Sequence, residues 1–426
     1  MTKDCLWIDG LYNPSWVITE LTRKETSMPT HTEFSINNDS IGTEISIASE
    51  LNHNHDIAFV EMVKCCTKHK DLHKGKIIHD EIARRGLLEK SPYIASALIN
   101  MYAKCGMIVK AHQYLEELLV RDVISWNALI SGYTHEGKGH EALNCFEQMQ
   151  CEGLSPDVVT FTCVLRACAS IEAIEKGKQI HDEILNMGFL GKDIAIGTSL
   201  VDLYAKCGQF IKAQQVLEEL PFRDVVTWNV LIKEYAQRGH GHEALYFFER
   251  MKIGGFSPDI VTFICILKAC GSTKAKDKGK QIHEEIMIRG LLEKDVELGN
   301  ALVDMYAKCE ELAKAQQIIE ELPIRDVVSW NAMISGYAQH GQVDNTLNCF
   351  EQMQMEGILP DIVTFLCVLK SCTSACAIKK GYKLHAVLSI LEEHNIVGSI
   401  LIDFYANCGL LQEAHKVFDE VSTHNV

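Results

Sequence analysis

Hydrophobic positions along the chain recur with a helical spacing that is interrupted at regular points. Segment 327–361 contains two apolar stripes whose members lie three or four positions apart, as expected for two amphipathic helices. Gly341 separates the stripes, and Gly357 and Pro360 follow the second one, as helix-ending residues do. The stripes consist of Trp330, Met333, Ile334 and Tyr337, and of Leu347, Phe350 and Met353.

This pattern returns with a period of 102 residues, marked by Trp126, Trp228 and Trp330. Each period divides into three related pieces of 35, 36 and 31 residues, and each piece indicates two helices. One such helical pair cannot bury its apolar stripe alone, whereas stacked pairs bury a continuous core. A fixed period over so long a span therefore predicts an all-α solenoid of helical hairpins.

The amino-acid composition restricts the classes of function that this chain can have. Hydrophobic residues make up 47% of the chain, which is ample for burial, and no apolar run reaches the length of a membrane span. The net charge of −16 has the wrong sign for binding nucleic acid by bulk charge, so a nucleic-acid binder of this composition must use local side chains. The 17 cysteines stand at helical positions and are interpreted as small buried hydrophobic residues without disulfides.

The three pieces resemble a known family. The words "WNALISGY" with "EALNCFEQMQCEGLSPD", "VVTFTCVLRACASIEAIEKGKQIHDEI" and "NALVDMYAKCEELAKAQQIIEELPIRD" are similar to the P, L and S motifs of plant pentatricopeptide repeat (PPR) proteins of the PLS type. The resemblance implies a right-handed α-solenoid of about 11 hairpins that binds single-stranded RNA, one base per motif.

The resemblance covers residues 56–426 and predicts the order of the motifs, here called the array. Residues 1–55 are predicted to form a disordered leader without repeats. The family implies a mitochondrion or a chloroplast, but this leader holds eight acidic against three basic residues and poorly matches a transit peptide. The predicted motifs are L 56–91, S 92–122, P 123–157, L 158–193, S 194–224, P 225–259, L 260–295, S 296–326, P 327–361, L 362–394 and S 395–425.

Base recognition, the resemblance implies, uses the fifth and last residues of each motif, which hydrogen-bond the Watson–Crick edge of a base. The pairs that favour uracil are Asn127–Asp157, Asn229–Asp259, Asn300–Asp326 and Asn331–Asp361. Guanine is favoured by Ser96–Asp122 and Thr198–Asp224, more weakly by Thr162–Asp193, and adenine by Ser399–Asn425. The other L motifs have an aliphatic fifth residue that cannot hydrogen-bond a base, namely Val60, Ile264 or Leu366. With the L motifs left unassigned, the predicted target is x-G-U-x-G-U-x-U-U-x-A.

The second residue of each motif would pack on the flat face of a base, and ordinary core packing is the alternative for these aliphatic side chains. For Asp122, Asp224 and Asp326 the alternative is helix capping, because each precedes a predicted helix. The fifth position of the S motifs favours recognition, since it varies among polar types while the residues around it stay constant. The packing residues are Ile124, Val159, Val226, Val261, Val328 and Val363.

Catalytic chemistry is not expected. Some PLS proteins carry a zinc deaminase, whose signature combines H-x-E with P-C-x-x-C. H-x-E occurs at His79, His181 and His283, but C-x-x-C does not occur, and the three copies lie in repeating helices. The sequence therefore predicts a binding protein, not an enzyme, without metal or cofactor.

The protein would select RNA sites for organellar C-to-U editing, with the deaminase supplied by another protein. Two alternatives remain: an RNA stability or processing factor, and a protein-binding scaffold, which the acidic charge favours.

Overall fold

The computed structural model describes residues 52–88, 91–118, 120–374, 377–388 and 394–423. The predicted leader, residues 1–55, lies almost wholly outside these ranges. The chain divides into two compact units, Met1–Glu61 and Met62–Val426, because most contacts are made within each unit. The second unit contains nearly all of the described chain. All regular secondary structure in the described ranges is helical, which confirms the predicted all-α class.

The helices follow one another in pairs joined by short turns. In order they are α1 Asn52–His69, α2 Leu72–Arg84, α3 Pro92–Lys104, α4 Ile108–Glu117, α5 Val123–His135, α6 Gly139–Cys151, α7 Val158–Ser170, α8 Ile174–Asn186, α9 Ile194–Lys206, α10 Phe210–Glu219, α11 Val225–Gln237, α12 Gly241–Ile253, α13 Ile260–Thr273, α14 Lys276–Ile288, α15 Val296–Lys308, α16 Leu312–Glu321, α17 Val327–Gln339, α18 Val343–Met355, α19 Ile362–Ser374, α20 Ile378–Leu388, α21 His394–Asn407 and α22 Leu411–Thr423.

Local sequence sets where these helices begin and end. The first helix of a P motif starts after an aspartate whose side chain accepts a hydrogen bond from the third helical N–H, as Asp326 does from Ser329. Gly341 and Gly357, which follow α17 and α18, have φ of 67° and 74°, a left-handed conformation that only glycine adopts without strain. The predicted interruptions are thus the turns between helices.

Within Met62–Val426 the hairpins stack in chain order. The first helices of successive motifs, from α3 to α21, pack directly on one another, and each second helix from α4 to α20 packs on its own partner and on the next first helix. In the described part of the chain, successive second helices keep their Cα atoms more than 8 Å apart. The first helices therefore form the closely packed layer, which includes the buried Trp126, Trp228 and Trp330.

Some sequence expectations need adjustment. Helix α1 begins at Asn52, so the expected boundary between leader and array at residues 55 and 56 falls inside a helix. The described cysteines are free and most are buried or half-buried, but Cys65 and Cys151 are exposed because they lie on the outer sides of their helices. None of the described helices is long and apolar enough to cross a membrane.

Candidate nucleic-acid interface

The fifth residue of a motif and the last residue of the same motif come together because the first helices stack. The fifth residue lies one turn into its helix, and the last residue is the N-cap of the next first helix. In the P motif 123–157, Asn127 Nδ2 donates to Asp157 Oδ1 at 3.0 Å. The same bond joins Asn229 to Asp259 at 2.9 Å, Asn331 to Asp361 at 2.9 Å and Asn300 to Asp326 at 3.1 Å. The structure thus brings together all four predicted Asn–Asp pairs.

A hydroxyl completes each of these pairs. Thr160, the third residue of the following motif, donates to Asn127 Oδ1 at 2.7 Å, and its backbone N–H donates to Asp157 Oδ1 at 2.8 Å. The hydroxyls that do the same for the other three asparagines belong to Thr262, Ser329 and Thr364. These four side chains have no exposed surface, so the hydroxyl fixes which way the amide of the asparagine points.

The third residue is the functional position that the sequence reasoning missed. Its signal is present, since a serine or threonine stands three residues after each paired aspartate, as in "PDVVTF" and "RDVVSW". That spacing is a capping box, and at Asp157, Asp259 and Asp326 both bonds of the box are formed. Helix capping alone would explain why the third residue has a hydroxyl. Its bond to the asparagine of the preceding motif becomes visible only when the two motifs are stacked in the structure.

The S motifs 92–122 and 194–224 have a hydroxyl where the asparagine stands in the P motifs. Thr198 Oγ1 is 2.9 Å from Ile194 O and 2.8 Å from Thr227 Oγ1, which is in turn 2.7 Å from Asp224 Oδ1. Thr198 therefore reaches its aspartate through Thr227 and not directly. Ser96 makes the corresponding contacts with Pro92 O at 2.8 Å and Ser125 Oγ at 3.1 Å, and lies 3.4 Å from Asp122 Oδ1.

The L motif 158–193 differs. Thr162 donates back to Val158 O at 2.7 Å, and Asp193 accepts from the backbone N–H of Ala195 at 2.7 Å. Within the described residues no hydrogen bond joins Thr162 to Asp193. The third residue of the next motif is the buried Ile196, which has no hydroxyl to connect them. This predicted weak pair is therefore not assembled as the P-motif pairs are.

The second residues of the P and L motifs are exposed. Their exposed fractions are 55% for Ile124, 52% for Val159, 56% for Val226, 49% for Val261, 54% for Val328 and 46% for Val363. Core packing, the alternative for these residues, is excluded by that exposure. Ser399 is likewise exposed, whereas its predicted partner Asn425 lies outside the described residues.

Capping and pairing occur together at the aspartates. Asp122, Asp224 and Asp326 each cap the helix that follows, as the alternative interpretation requires, and Asp326 is also bonded to Asn300. At Asp361, burial acts to raise the pKa of the carboxyl, but the hydrogen bonds from Thr364 and Asn331 outweigh it and hold the pKa below its ordinary value. The Asp361 carboxylate is thus held ionised as an acceptor.

The histidines of the H-x-E sequences have structural contacts. His79, His181 and His283 place Nδ1 at 2.7, 2.8 and 2.9 Å from the hydroxyls of Tyr102, Tyr204 and Tyr306. Burial lowers the pKa of all three imidazoles. No group of three or more His, Cys, Asp or Glu that could hold a metal ion occurs in the described residues.

Comparison with known proteins identifies the class. Two models of the PPR repeat match residues 121–170, 223–272 and 325–374, and residues 93–123, 198–225 and 399–426. Together they match more than half of the chain, which therefore belongs to the PPR repeat family.

Relatives in Arabidopsis thaliana are similar over most of this chain. The chloroplastic pentatricopeptide repeat-containing protein At4g18520 is 34% identical over 372 residues, which cover 86% of this chain and 59% of the relative. The mitochondrial protein At2g03380 is 33% identical over 374 residues, 87% of this chain and 54% of the relative. The chain thus spans little more than half the length of these relatives.

Solved structures support the same fold. A crystal structure of the PPR protein PPR10 with an 18-nt psaJ RNA element superposes with a TM-score of 0.67 at 17% identity, covering 91% of this chain and 58% of that one. A further structure of PPR10, from maize, gives a TM-score of 0.51 at 18% identity, covering 91% of this chain and 67% of that one. The array is therefore an α-solenoid of PPR type.

Proposed function

We propose that this protein binds single-stranded RNA sequence-specifically, one base to each P and S motif, and acts as a site-recognition factor for C-to-U editing in an organelle. The deaminase would be supplied by another protein. The observation that carries the proposal is the bonded Asn–Asp pair, found four times with one geometry beside exposed aliphatic side chains.

The Asn–Asp pairs suit uracil. In Asn127 the oxygen accepts from Thr160 and one N–H is used by Asp157, so a single N–H remains for a ligand. The bonds to Asp157 converge on Oδ1, which leaves Oδ2 as an acceptor. One donor beside one acceptor matches a carbonyl and the N3–H of uracil. Cytosine has no N3–H to give, so the carboxylate disfavours it.

The hydroxyl pairs suit guanine. Thr198 and Thr227 have two hydroxyl protons between them. The available acceptors are Ile194 O, Asp224 Oδ1 and the oxygen of the neighbouring hydroxyl, so no proton remains for a ligand. The pair therefore presents acceptors only. Guanine offers N1–H and N2–H as neighbouring donors, whereas N1 of adenine needs a donor that this pair lacks. The same argument holds for Ser96 with Asp122.

The names of relatives support the organellar part of the proposal, and the order of the motifs supports the editing part. These relatives are named chloroplastic or mitochondrial, and the L, S and P order of motifs resembles that of editing factors. We further propose that the chain resides in one of these organelles.

Direct binding tests the proposal. A labelled 11-nucleotide RNA of sequence x-G-U-x-G-U-x-U-U-x-A, titrated with the protein at fixed salt, should bind at least about tenfold more tightly than an RNA in which every uracil of the sequence is replaced by cytosine, since a hydrogen bond to a charged group contributes about 1.5–3 kcal/mol. Equal affinity for the two RNAs would refute base recognition.

Loss of the protein in its organism should leave a cytidine near such a sequence unedited; a transcript altered in abundance but fully edited would favour a stability factor.

A further inference from the structure

Exposed cations recur on the first helices, four residues beyond the position that reads bases. Arg166, Lys268 and Lys370 are the ninth residues of three successive L motifs, and Lys233 is the ninth residue of the P motif 225–259. All four side chains are exposed, although they stand between buried neighbours. Each therefore projects from the closely packed layer of first helices into solvent.

These cations share a face with the proposed base site. The second, fifth and ninth residues of a helix are three and four positions apart and lie on one side of it. In α13 they are Val261, Ile264 and Lys268, of which Val261 is 49% exposed. The ninth residue lies about 6 Å further along the helix axis than the fifth, at the rise of 1.5 Å per residue. An RNA strand whose bases contact the fifth residues would thus have these cations beside it. The cations would lie on the side of the strand that faces away from the capping aspartates.

The four cations differ from those lysines of the second helices that are engaged by neighbouring carboxylates. Lys176 and Lys278 reach across to Glu147 and Glu249. By contrast, no carboxylate in the described ranges lies within 4.0 Å of Arg166, Lys233, Lys268 or Lys370, and none of the four donates a hydrogen bond there. In a chain of net charge −16, four exposed cations without ionic partners along one line are unexpected.

Two carboxylates at the same position are neutralised. In the S motifs the ninth residues Asp202 and Asp304 form ion pairs at 2.8 Å with Lys206 and Lys308, one turn later. Lys233 lies on α11 and Lys268 on α13, which packs directly against it, and both cations oppose the burial that raises the pKa of the Cys265 thiol in α13. Glu234, which follows Lys233 in the chain, is buried.

We infer that Arg166, Lys233, Lys268 and Lys370 bind the phosphates of the RNA strand, so that the L motifs hold the backbone while P and S motifs read bases. Such contacts raise affinity for every sequence equally and release counterions. This inference rests on the proposed RNA binding. It assigns a role to the L motifs, whose fifth residues Ile264 and Leu366 cannot hydrogen-bond a base.

The test is the salt dependence of binding. With Arg166→Gln, Lys233→Gln, Lys268→Gln and Lys370→Gln combined, the slope of log K against log [salt] should fall by about 3, because each phosphate contact to a single strand contributes about 0.7. Between 50 and 200 mM salt the wild type should thus lose about 50-fold more affinity than the variant. The matched control removes four exposed lysines of the second helices, by Lys74→Gln, Lys76→Gln, Lys178→Gln and Lys252→Gln.

The uracil-to-cytosine RNA is titrated beside the target RNA. A reduced slope with the preference for uracil unchanged supports the inference, and the control should keep the wild-type slope. Equal slopes for the two quadruple variants would overturn it while leaving base recognition intact. A reduced slope in a protein that does not distinguish the RNAs would support phosphate binding and refute base recognition. Absence of any RNA binding would refute both, and the cations would then serve solubility or an acidic protein partner.

Discussion

Asp157 and Asp193 occupy the same place in successive motifs, yet they have different tasks. Both are N-caps of the next first helix. Asp157 is also bonded to Asn127 and to the hydroxyl of Thr160, whereas Asp193 is bonded to backbone alone. An aspartate at this position is therefore explained by capping, and only the residues around it decide whether it also forms a recognition pair.

The difference follows from two positions. In the motif that follows Asp157 the third residue is Thr160, whereas in the motif that follows Asp193 the third residue is Ile196. Where the third residue has a hydroxyl, the fifth residue of the preceding motif is tied to the carboxylate directly or through that hydroxyl. Where it is aliphatic, no such network forms in the described residues. In the described residues the array thus alternates two junctions that tie the fifth residue to the aspartate with one that does not.

The largest expected effect separates the two aspartates. Asp157→Ala removes the cap of α7 and also leaves the buried Asn127 without its acceptor, so we expect a local loss of about 2 kcal/mol. Asp193→Ala removes a cap alone and should cost about 1 kcal/mol. Native-state amide hydrogen exchange in α7 and α9 measures both. Equal losses would mean that the Asn127–Asp157 bond contributes nothing to the fold.

A smaller effect isolates the hydroxyl. Thr262→Val keeps the shape of the side chain but removes the hydroxyl, whose single proton has Asn229 Oδ1 and Asp259 Oδ1 within reach, and should cost about 1–2 kcal/mol because a buried acceptor loses its partner. Thr162→Val is the matched control, since that hydroxyl donates only to Val158 O. We expect less than about 0.5 kcal/mol for the control. Chemical denaturation of both variants would decide, and a control as damaging as Thr262→Val would contradict the bridging role.

The smallest effect is a dependence on pH. Because the folded pKa of Asp361 lies below its ordinary value of 3.8, the stability from its ionised form is present above that value and is lost as pH falls through the folded pKa. The stability advantage of the wild type over Asp361→Asn should therefore shrink as the pH falls below about 3.8. Urea unfolding at neutral and acidic pH measures it. An advantage that persists or grows in acid would contradict the assignment.

Much of this organisation could be predicted from the sequence. The period and the two stripes per piece indicate the hairpins, since helical spacing is a local property, and the resemblance to PPR motifs implies the four Asn–Asp pairs. The role of Thr160 could not be predicted, because its capping pattern is complete without Asn127, which lies in another hairpin. The exposure of Val226 likewise depends on how adjacent hairpins stack, and an aliphatic residue at a helix start is compatible with either a core or a surface.

The most direct test of the central claim is a compensating exchange at the guanine pairs. Asp122→Asn and Asp224→Asn preserve the caps but add an N–H donor that N1 of adenine accepts. The account predicts that the wild type prefers the target RNA over its version with both guanines changed to adenine by at least about tenfold, and that the double variant reverses or abolishes this preference. If wild type and variant bind the two RNAs with the same ratio, the paired residues do not read bases, and the account is contradicted.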